Sequence, residues 1–310
     1  MFPFTSAGAA TTSKKPIKAI LSAPISIGHL TSGVGDQISS AVVTPTGLVM
    51  VGTVESSSSD GWVTSQTLGG TDGFIAKVDF SGNHLWDTRL GSPLDDVSTA
   101  VLRDKRGDLW VAGVSVSSIT NPVPTQSPLA TTILNPDSVT VTPVVTPGQA
   151  LTVLKLWHLN SQGQIVQSYS KDFGTTLYPQ SILQNGNSFT IAGQIAPNRD
   201  FTINVDPQVG FADPSFHSHL EIRKPAVTLF TGGGNKYQLF VAHGKIKVLP
   251  SWKSTVPHPI LLQLSKAGTL KAAHFFQGEV IFVGYAPGQG VVALTAIKEG
   301  FGLCIVTPSL

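Results

Sequence analysis

The chain has little charge and almost no cysteine. Of its 310 residues only 12% are charged, the formal net charge at pH 7 is +2, and the single cysteine is Cys304. One thiol excludes an intramolecular disulfide and a cysteine-rich zinc site. A charge this close to zero, with no basic block beyond "SKK", excludes the electrostatic footprint of a nucleic-acid-binding protein. Cys304 lies in the apolar run "FGLCIV", which predicts a buried and unreactive thiol.

Long hydrophobic runs and helical periods are missing as well. No run approaches the roughly 18 apolar residues that span a bilayer, and no ten-residue stretch shows an amphipathic helical period bounded by caps. The motifs of phosphate-cradling loops, nucleophile elbows and zinc proteases are absent, so no cofactor is expected. Hydrophobic residues still make up 41% of the chain. That share is enough for a large core, which these absences predict to be built from β-strands.

The N-terminal segment reads in two ways. "MFPFTSAGAATTSKK" is similar to the last part of a secretory signal peptide, with an apolar stub and small residues, and it is also compatible with an ordinary N-terminal tail. We assign residues 1–23 to this tail and residues 24–310 to one domain. The first alternative predicts an extracytoplasmic protein, secreted or at the cell surface.

One hairpin pattern recurs along the chain. "GFIAKVDFSGNHLW" at residues 73–86 is echoed by "KLWHLNSQGQIV" and "ILLQLSKAGTLK". Each copy has a turn glycine and, three positions before it, a short polar residue: Asp79 with Gly82, Asn160 with Gly163, and Ser265 with Gly268. The polar side chain can bond the backbone of the turn, and glycine adopts the positive φ that the turn needs. The pattern therefore predicts repeated antiparallel hairpins.

A second strand–turn–strand pattern precedes each hairpin, as in "VSTAVLRDKRGDLWVAGV". Two such pairs make four antiparallel strands, the unit of a β-propeller blade. The predicted units cover residues 38–91, 97–172, 178–224, 226–278 and 280–310. The last unit ends after its third strand. Residues 24–33 resemble the fourth strand of a unit, but no third strand precedes them. We therefore predict an all-β, five-bladed propeller whose ring is closed by the N-terminal strand joining the C-terminal blade, with six blades as the alternative.

"GGTDGFIAKVDFSGNHLWDTRLGSPLDD" followed by "AVLRDKRGDLWVAGVS" resembles the bacterial β-propeller repeat family of secreted and cell-surface proteins. The resemblance is good over residues 36–114, fair over 151–195 and weak beyond. It implies the propeller fold, an extracellular location and a binding role. It implies no catalytic residues.

Carboxylates are predicted at the starts of the innermost strands, around the mouth of a central channel. They are Asp36, Asp95, Asp96 and Glu279, with Thr175 and Lys224 in the remaining positions. Acids at strand starts commonly bond backbone amides, and they can also bind a cation or a ligand. Two carboxyl groups across an open pocket would instead suit a glycoside hydrolase.

Two tryptophans and one histidine motif are further candidates. Trp62 and Trp252 fall in long segments between second and third strands, where an exposed indole can stack on a sugar or anchor a partner. "HSHLE" places His217, His219 and Glu221 on one face of an edge strand, a weak signal for a metal site.

The leading hypothesis is a non-enzymatic propeller that binds a glycan or a protein through its long-loop face, the face carrying the connections between second and third strands. Its contact residues would be Trp62, Trp252, Asp36, Asp95 and Asp96. The first alternative is a glycoside hydrolase or lyase that uses Asp36, Asp95, Asp96 and Glu279. The second alternative is a structural scaffold module of a surface assembly. We expect no nucleic acid partner and no transmembrane segment.

Overall fold

A computed structural model of the chain describes residues 17, 19–28, 37–55, 63–117, 150–218, 228–246, 249–297 and 300–307. Within these ranges all regular secondary structure is β-strand, and the strands form five sheets. The all-β class predicted from the sequence is confirmed. None of the described residues forms a helix long and apolar enough to cross a membrane.

The strands follow the predicted units closely. The N-terminal strands are β1 (Ala19–Ser22) and β2 (Ile25–Gly28). Sheet I contains β3 (Gln37–Thr44), β4 (Gly47–Glu55), β5 (Thr71–Val78) and β6 (His84–Leu90). Sheet II contains β7 (Asp96–Arg103), β8 (Leu109–Val116), β9 (Leu151–Leu159) and β10 (Ile165–Asp172). Sheet III contains β11 (Leu177–Asn185), β12 (Ser188–Ile195), β13 (Arg199–Asp206), β14 (Gly210–Phe211) and β15 (Ser215–Ser218).

The C-terminal part of the chain forms two more sheets. Sheet IV contains β16 (Thr228–Gly232), β17 (Asn235–Ile246), β18 (Leu249–Ser265) and β19 (Leu270–Phe276). Sheet V contains β20 (Glu279–Ala286), β21 (Gly290–Ile297) and β22 (Gly300–Val306). Consecutive strands pair antiparallel in all five sheets, except that β14 and β15 both pair with β13.

The N-terminal strands join the two C-terminal sheets. β2 pairs antiparallel with β22 and becomes the fourth strand of sheet V, so this predicted strand pairing is confirmed. Closure of a five-bladed ring stays a prediction. β1 pairs parallel with β19 and adds a fifth strand to sheet IV. That second pairing was not predicted. Together the two strands cover an edge of each of these sheets, which would otherwise expose unpaired backbone groups.

The predicted turn chemistry is confirmed in the first hairpin. The carboxylate of Asp79 accepts the backbone N–H groups of Ser81 and Asn83, each at 2.8 Å. Gly82 has a φ of +87°, a conformation that favours glycine. These residues shape the turn.

Neighbouring sheets pack face to face through apolar side chains. The buried clusters join sheet III to sheet II, II to I, I to V, and V to IV. Central strands β4 and β8 are buried on both faces, as their continuous apolar runs predict. In contrast, β12 contains the apolar run "FTIAG" at residues 189–193, which also predicts burial on both faces. Its residues instead alternate between buried and half-buried. The reason is that only its face toward sheet II is covered: no cluster of the described residues joins sheets III and IV.

Candidate functional site

The two ends of the sheets carry different connections. At one end the second strand of each sheet ends and the third begins, and the described connections between sheets, such as residues 91–95 and 173–176, lie there too. This end is the long-loop face predicted above. At the other end lie the tight β-turns, such as those at residues 79–83 and 104–108. We call this second end the hairpin-tip face.

Asp96 opens β7 at the long-loop face, and its side chain is turned into the protein. The residue is 0% exposed. One carboxylate oxygen accepts the Ser92 N–H at 2.7 Å and the Ser92 hydroxyl at 2.8 Å, and the other accepts the hydroxyl of Ser115. Burial raises the pKa of Asp96 above its ordinary value, although these hydrogen bonds and the charge of Lys155 oppose the rise. Asp96 therefore joins the start of β7 to the end of β8 and to the connection that precedes β7.

The other predicted carboxylates are distributed differently. Asp95 is exposed, and its carboxylate accepts the Thr71 N–H at 2.8 Å, linking sheet II to the start of β5. Glu279 is exposed at the start of β20 in sheet V. Thr175 donates a 3.5 Å hydrogen bond to the Ala196 carbonyl. Asp36 and Lys224 lie outside the described residues.

A buried ion pair, which the sequence analysis did not identify, lies beneath this face. The Arg89 side chain is 2% exposed and that of Asp72 is 0% exposed, with 2.9 Å between Nη1 and Oδ2. Asp72 also accepts the Leu68 N–H at 3.0 Å, and Arg89 Nε donates to the Ser65 carbonyl at 3.0 Å. The pair thus anchors residues 65–68, part of the connection between β4 and β5, to the sheet.

Asp87 fixes the preceding part of the same connection. Its carboxylate accepts the N–H of Ser65 at 2.7 Å and both the N–H and the hydroxyl of Thr64, at 3.0 and 2.8 Å. Burial favours a higher pKa for Asp87, but the hydrogen bonds from Ser65 and Thr64 outweigh it and leave the pKa lowered. Three residues of this connection, Thr64, Ser65 and Leu68, are therefore hydrogen-bonded to Asp87 or to the Asp72–Arg89 pair.

The structure places the predicted aromatic contacts in different surroundings. Trp252 lies in β18, whose residues 249–258, expected as a loop, continue the strand and pair with β17 at Leu249, Lys253, Ser254 and His258. Its ring packs on the apolar cluster of sheet IV and makes an edge contact with His258, with the ring centroids 6.5 Å apart. Trp62 lies outside the described residues. The indole of Trp252 is therefore engaged within its own sheet.

The histidine motif is only partly described. His217 is exposed on β15, while His219 and Glu221 lie outside the described residues. No group of three metal-ligating side chains occurs among the residues whose positions are given. The predicted metal site thus stays a prediction.

A groove of about 490 Å³ opens at the long-loop face between sheets IV and V. Its walls include Leu239 and Val241 of β17, Pro257 and Pro259 of β18, and Glu279 and Val280 of β20. Val241 is 64% exposed. The groove is therefore apolar with one acidic group at its side. Glu279 is the predicted site residue that it contains.

Comparison with known proteins assigns no family. No family model matches the chain, and no curated protein matches it. Among solved structures, U3-55K is 10% identical with a TM-score of 0.46, covering 92% of this chain and 100% of its own. A member of the DUF4221 family from Bacteroides vulgatus is 8% identical with a TM-score of 0.35, covering 93% of this chain and 96% of its own.

A sialidase from Trypanosoma rangeli in complex with sialic acid is also similar, at 10% identity and a TM-score of 0.37. The match covers 86% of this chain and 43% of the sialidase, so the chain spans less than half of that enzyme's length. All three TM-scores are below 0.5, a similarity too remote to transfer a function. The site must therefore be argued from its own chemistry.

Proposed function

We propose that the chain is a non-enzymatic binding protein, a five-bladed β-propeller that holds its ligand at the long-loop face. Five sheets packed in series and a last sheet completed by the N-terminal strand support this architecture. An extracytoplasmic location, expected from the N-terminal segment, belongs to the same proposal. So do contacts from Asp36, Trp62 and Asp95 on this face.

The groove between sheets IV and V is the observation that carries the proposal. Its apolar walls suit an apolar side chain of a partner, since burying such surface stabilises a complex by about 25 cal/mol per Å². Glu279 adds a negative charge that suits a lysine or arginine. Trp252 is not part of the groove lining, and Phe240, the one aromatic residue in that lining, is partly buried against the apolar cluster of sheet IV, so neither offers a free aromatic face to a sugar ring. Of the two predicted ligand classes, a protein segment therefore fits this groove better than a glycan.

The hydrolase alternative finds less support. It needs two carboxyl groups roughly 5–9.5 Å apart across an open pocket. Asp96 is buried with both oxygens bonded, Asp95 is bonded to a backbone amide, and Glu279 begins a different sheet. Release of reducing sugar from a polysaccharide panel, abolished by Glu279→Gln, would contradict the binding proposal.

Peptide selection tests the proposal. A phage-displayed peptide library is selected on the immobilised chain, with no counter-selection on any variant. We expect enriched peptides with an apolar residue close to a lysine or arginine, bound at least about tenfold more weakly by Val241→Asp and by Glu279→Gln. Val209→Asp is the matched control, since Val209 is 85% exposed on sheet III. Peptides that bind all variants equally would refute the groove as the site.

A further inference from the structure

A second cleft opens on the hairpin-tip face, between sheets I and II. It has a volume of about 400 Å³ and is lined on one side by Lys77 and Trp86 and on the other by Arg103 and Leu109. Nothing in the proposed function involves this cleft, which lies at the opposite end of the sheets. A size of this order is typical of small-ligand sites.

The two cations come from facing rows of the two sheets. In sheet I, Val49 pairs with Lys77, and Lys77 pairs with Trp86. In sheet II, Arg103 pairs with Leu109. Paired residues of antiparallel strands lie on the same side of a sheet. Val49 and Leu109 belong to the apolar cluster between the sheets, so Lys77 and Arg103 approach from opposite walls above an apolar floor.

Neither cation has a partner among the described residues. No hydrogen bond or ion pair joins Lys77 or Arg103 to them, and the cleft lining contains no acid. The acids of the adjoining turns are engaged elsewhere: Asp79 and Asp104 bond their own turns, and Asp108 bonds His158 at 3.1 Å. Burial lowers the pKa of Lys77, and the charge of Arg103 lowers it further. An anion between the two groups would relieve this repulsion.

Two glycines fix the remaining walls. A β-carbon at Gly163 would lie 2.5 Å from the Trp86 ring, so only glycine lets the indole lie against that turn. A β-carbon at Gly107 would lie 3.1 Å from Arg103 Nη2, which places the guanidinium beside the second turn. Both glycines also have positive φ, +82° and +100°. The indole of Trp86 and the guanidinium of Arg103 therefore lie directly against the two turn glycines.

We propose that this cleft, where Lys77 and Arg103 face each other beside Trp86, binds the anionic group of an acidic saccharide. The two cations suit a carboxylate or sulfate. Trp86 supplies an apolar aromatic surface of the kind that contacts sugar rings. The rest of the lining is uncharged: Thr46, Ser161 and Gln162 can bond sugar hydroxyls, while Pro45, Val49, Leu85 and Leu109 are apolar. This mixture suits a sugar, with its hydroxyl groups and apolar ring face, better than the side chains of an acidic peptide.

Isothermal titration calorimetry tests the proposal with four probes. The probes are an oligogalacturonate tetramer, a heparin-derived tetrasaccharide, the neutral cellotetraose and a tetraglutamate peptide. We expect at least one acidic saccharide to bind at least about tenfold more tightly than both the neutral sugar and the peptide, and its affinity to fall with added NaCl. Equal or tighter binding of the peptide would overturn the saccharide assignment, and so would absence of binding to both acidic saccharides.

Variants locate the site. Lys77→Gln and Arg103→Gln should each weaken binding of the acidic saccharide by about tenfold or more, because each removes a charge-assisted hydrogen bond to the anionic group. Lys105→Gln is the matched control, because Lys105 is exposed on the same face and outside the cleft lining. Circular dichroism and urea midpoints verify that each variant is folded. Unchanged binding in folded Lys77→Gln and Arg103→Gln would overturn the site.

Discussion

Removal of Arg89 should destabilise the protein strongly, because it leaves Asp72 buried without a counter-charge. Both side chains are almost fully buried, and the pair also supports the backbone of the β4–β5 connection through Leu68 and Ser65. Loss of one partner of a buried ion pair costs about 3–5 kcal/mol. We expect this decrease in the free energy of unfolding for Arg89→Met, measured by urea denaturation with linear extrapolation.

The double variant separates the ion pair from simple loss of packing. Asp72→Leu alone should cost about as much as Arg89→Met. In Asp72→Leu/Arg89→Met no charge is left buried alone, and the backbone groups of Leu68 and Ser65 lose their partners. We therefore expect a cost of about 1–3 kcal/mol and a coupling energy of roughly 3 kcal/mol or more. Arg106→Met is the control: Arg106 is 77% exposed and 3.8 Å from Asp104, so its loss should cost less than about 1 kcal/mol. If Arg89→Met cost no more than this control, or if the two single effects added, the reasoning would be refuted.

Three further predictions concern the core, the chain ends and acid stability. Cys304 is 1% exposed and burial raises its pKa to about 11, so iodoacetamide should label it only after unfolding, as mass spectrometry would show; rapid labelling of the native protein would contradict this. Ile27 of β2 is 6% exposed, so Ile27→Asp should lower the free energy of unfolding, measured by urea denaturation, by about 2–4 kcal/mol. Ile25 is 47% exposed, so the control Ile25→Asp should lower it by less than about 1 kcal/mol. Equal effects of the two variants would show that β2 does not complete the core. The lowered pKa of Asp87 stabilises the fold above its unfolded-state value of about 3.9 and ceases to do so as the pH falls through the lowered folded-state value. Urea titrations from pH 7 to pH 2 should therefore show a weaker loss of stability at acid pH in Asp87→Asn than in the wild type, and parallel curves would contradict the assignment.

Much of the strand layout follows from local signals in the sequence. The Asp79–Gly82 turn and the similar turns later in the chain predict the positions of the hairpins. This works because four or five neighbouring residues determine a tight turn. The incomplete C-terminal unit predicts its N-terminal partner for the same reason, since a missing strand leaves a visible gap in a repeat. The pairing of β1 with β19 has no such signal, because that strand belongs to no repeat.

The surroundings of the side chains are harder to predict, because they depend on contacts between sheets. "FTIAG" is as apolar as the runs in sheets I and II, yet β12 is covered on one face only. Trp252 falls in a segment with prolines and lysines that reads as a loop, while pairing with β17 extends the strand through it. Asp72 and Arg89 carried a signal that was missed: Arg89 pairs with Phe74, two residues beyond Asp72, so the acid and the base are diagonal neighbours on one face of a predicted hairpin.

Hydrogen exchange on the intact chain, with and without a peptide from the groove selection, tests the central proposal most directly. If the groove between sheets IV and V is the binding site, the peptide should slow exchange at residues 239–241, 258 and 279–280 and leave the hairpin tips at 79–83 and 104–108 unchanged. Protection confined to the hairpin tips, or none at a peptide concentration well above its Kd, would contradict binding at the long-loop face.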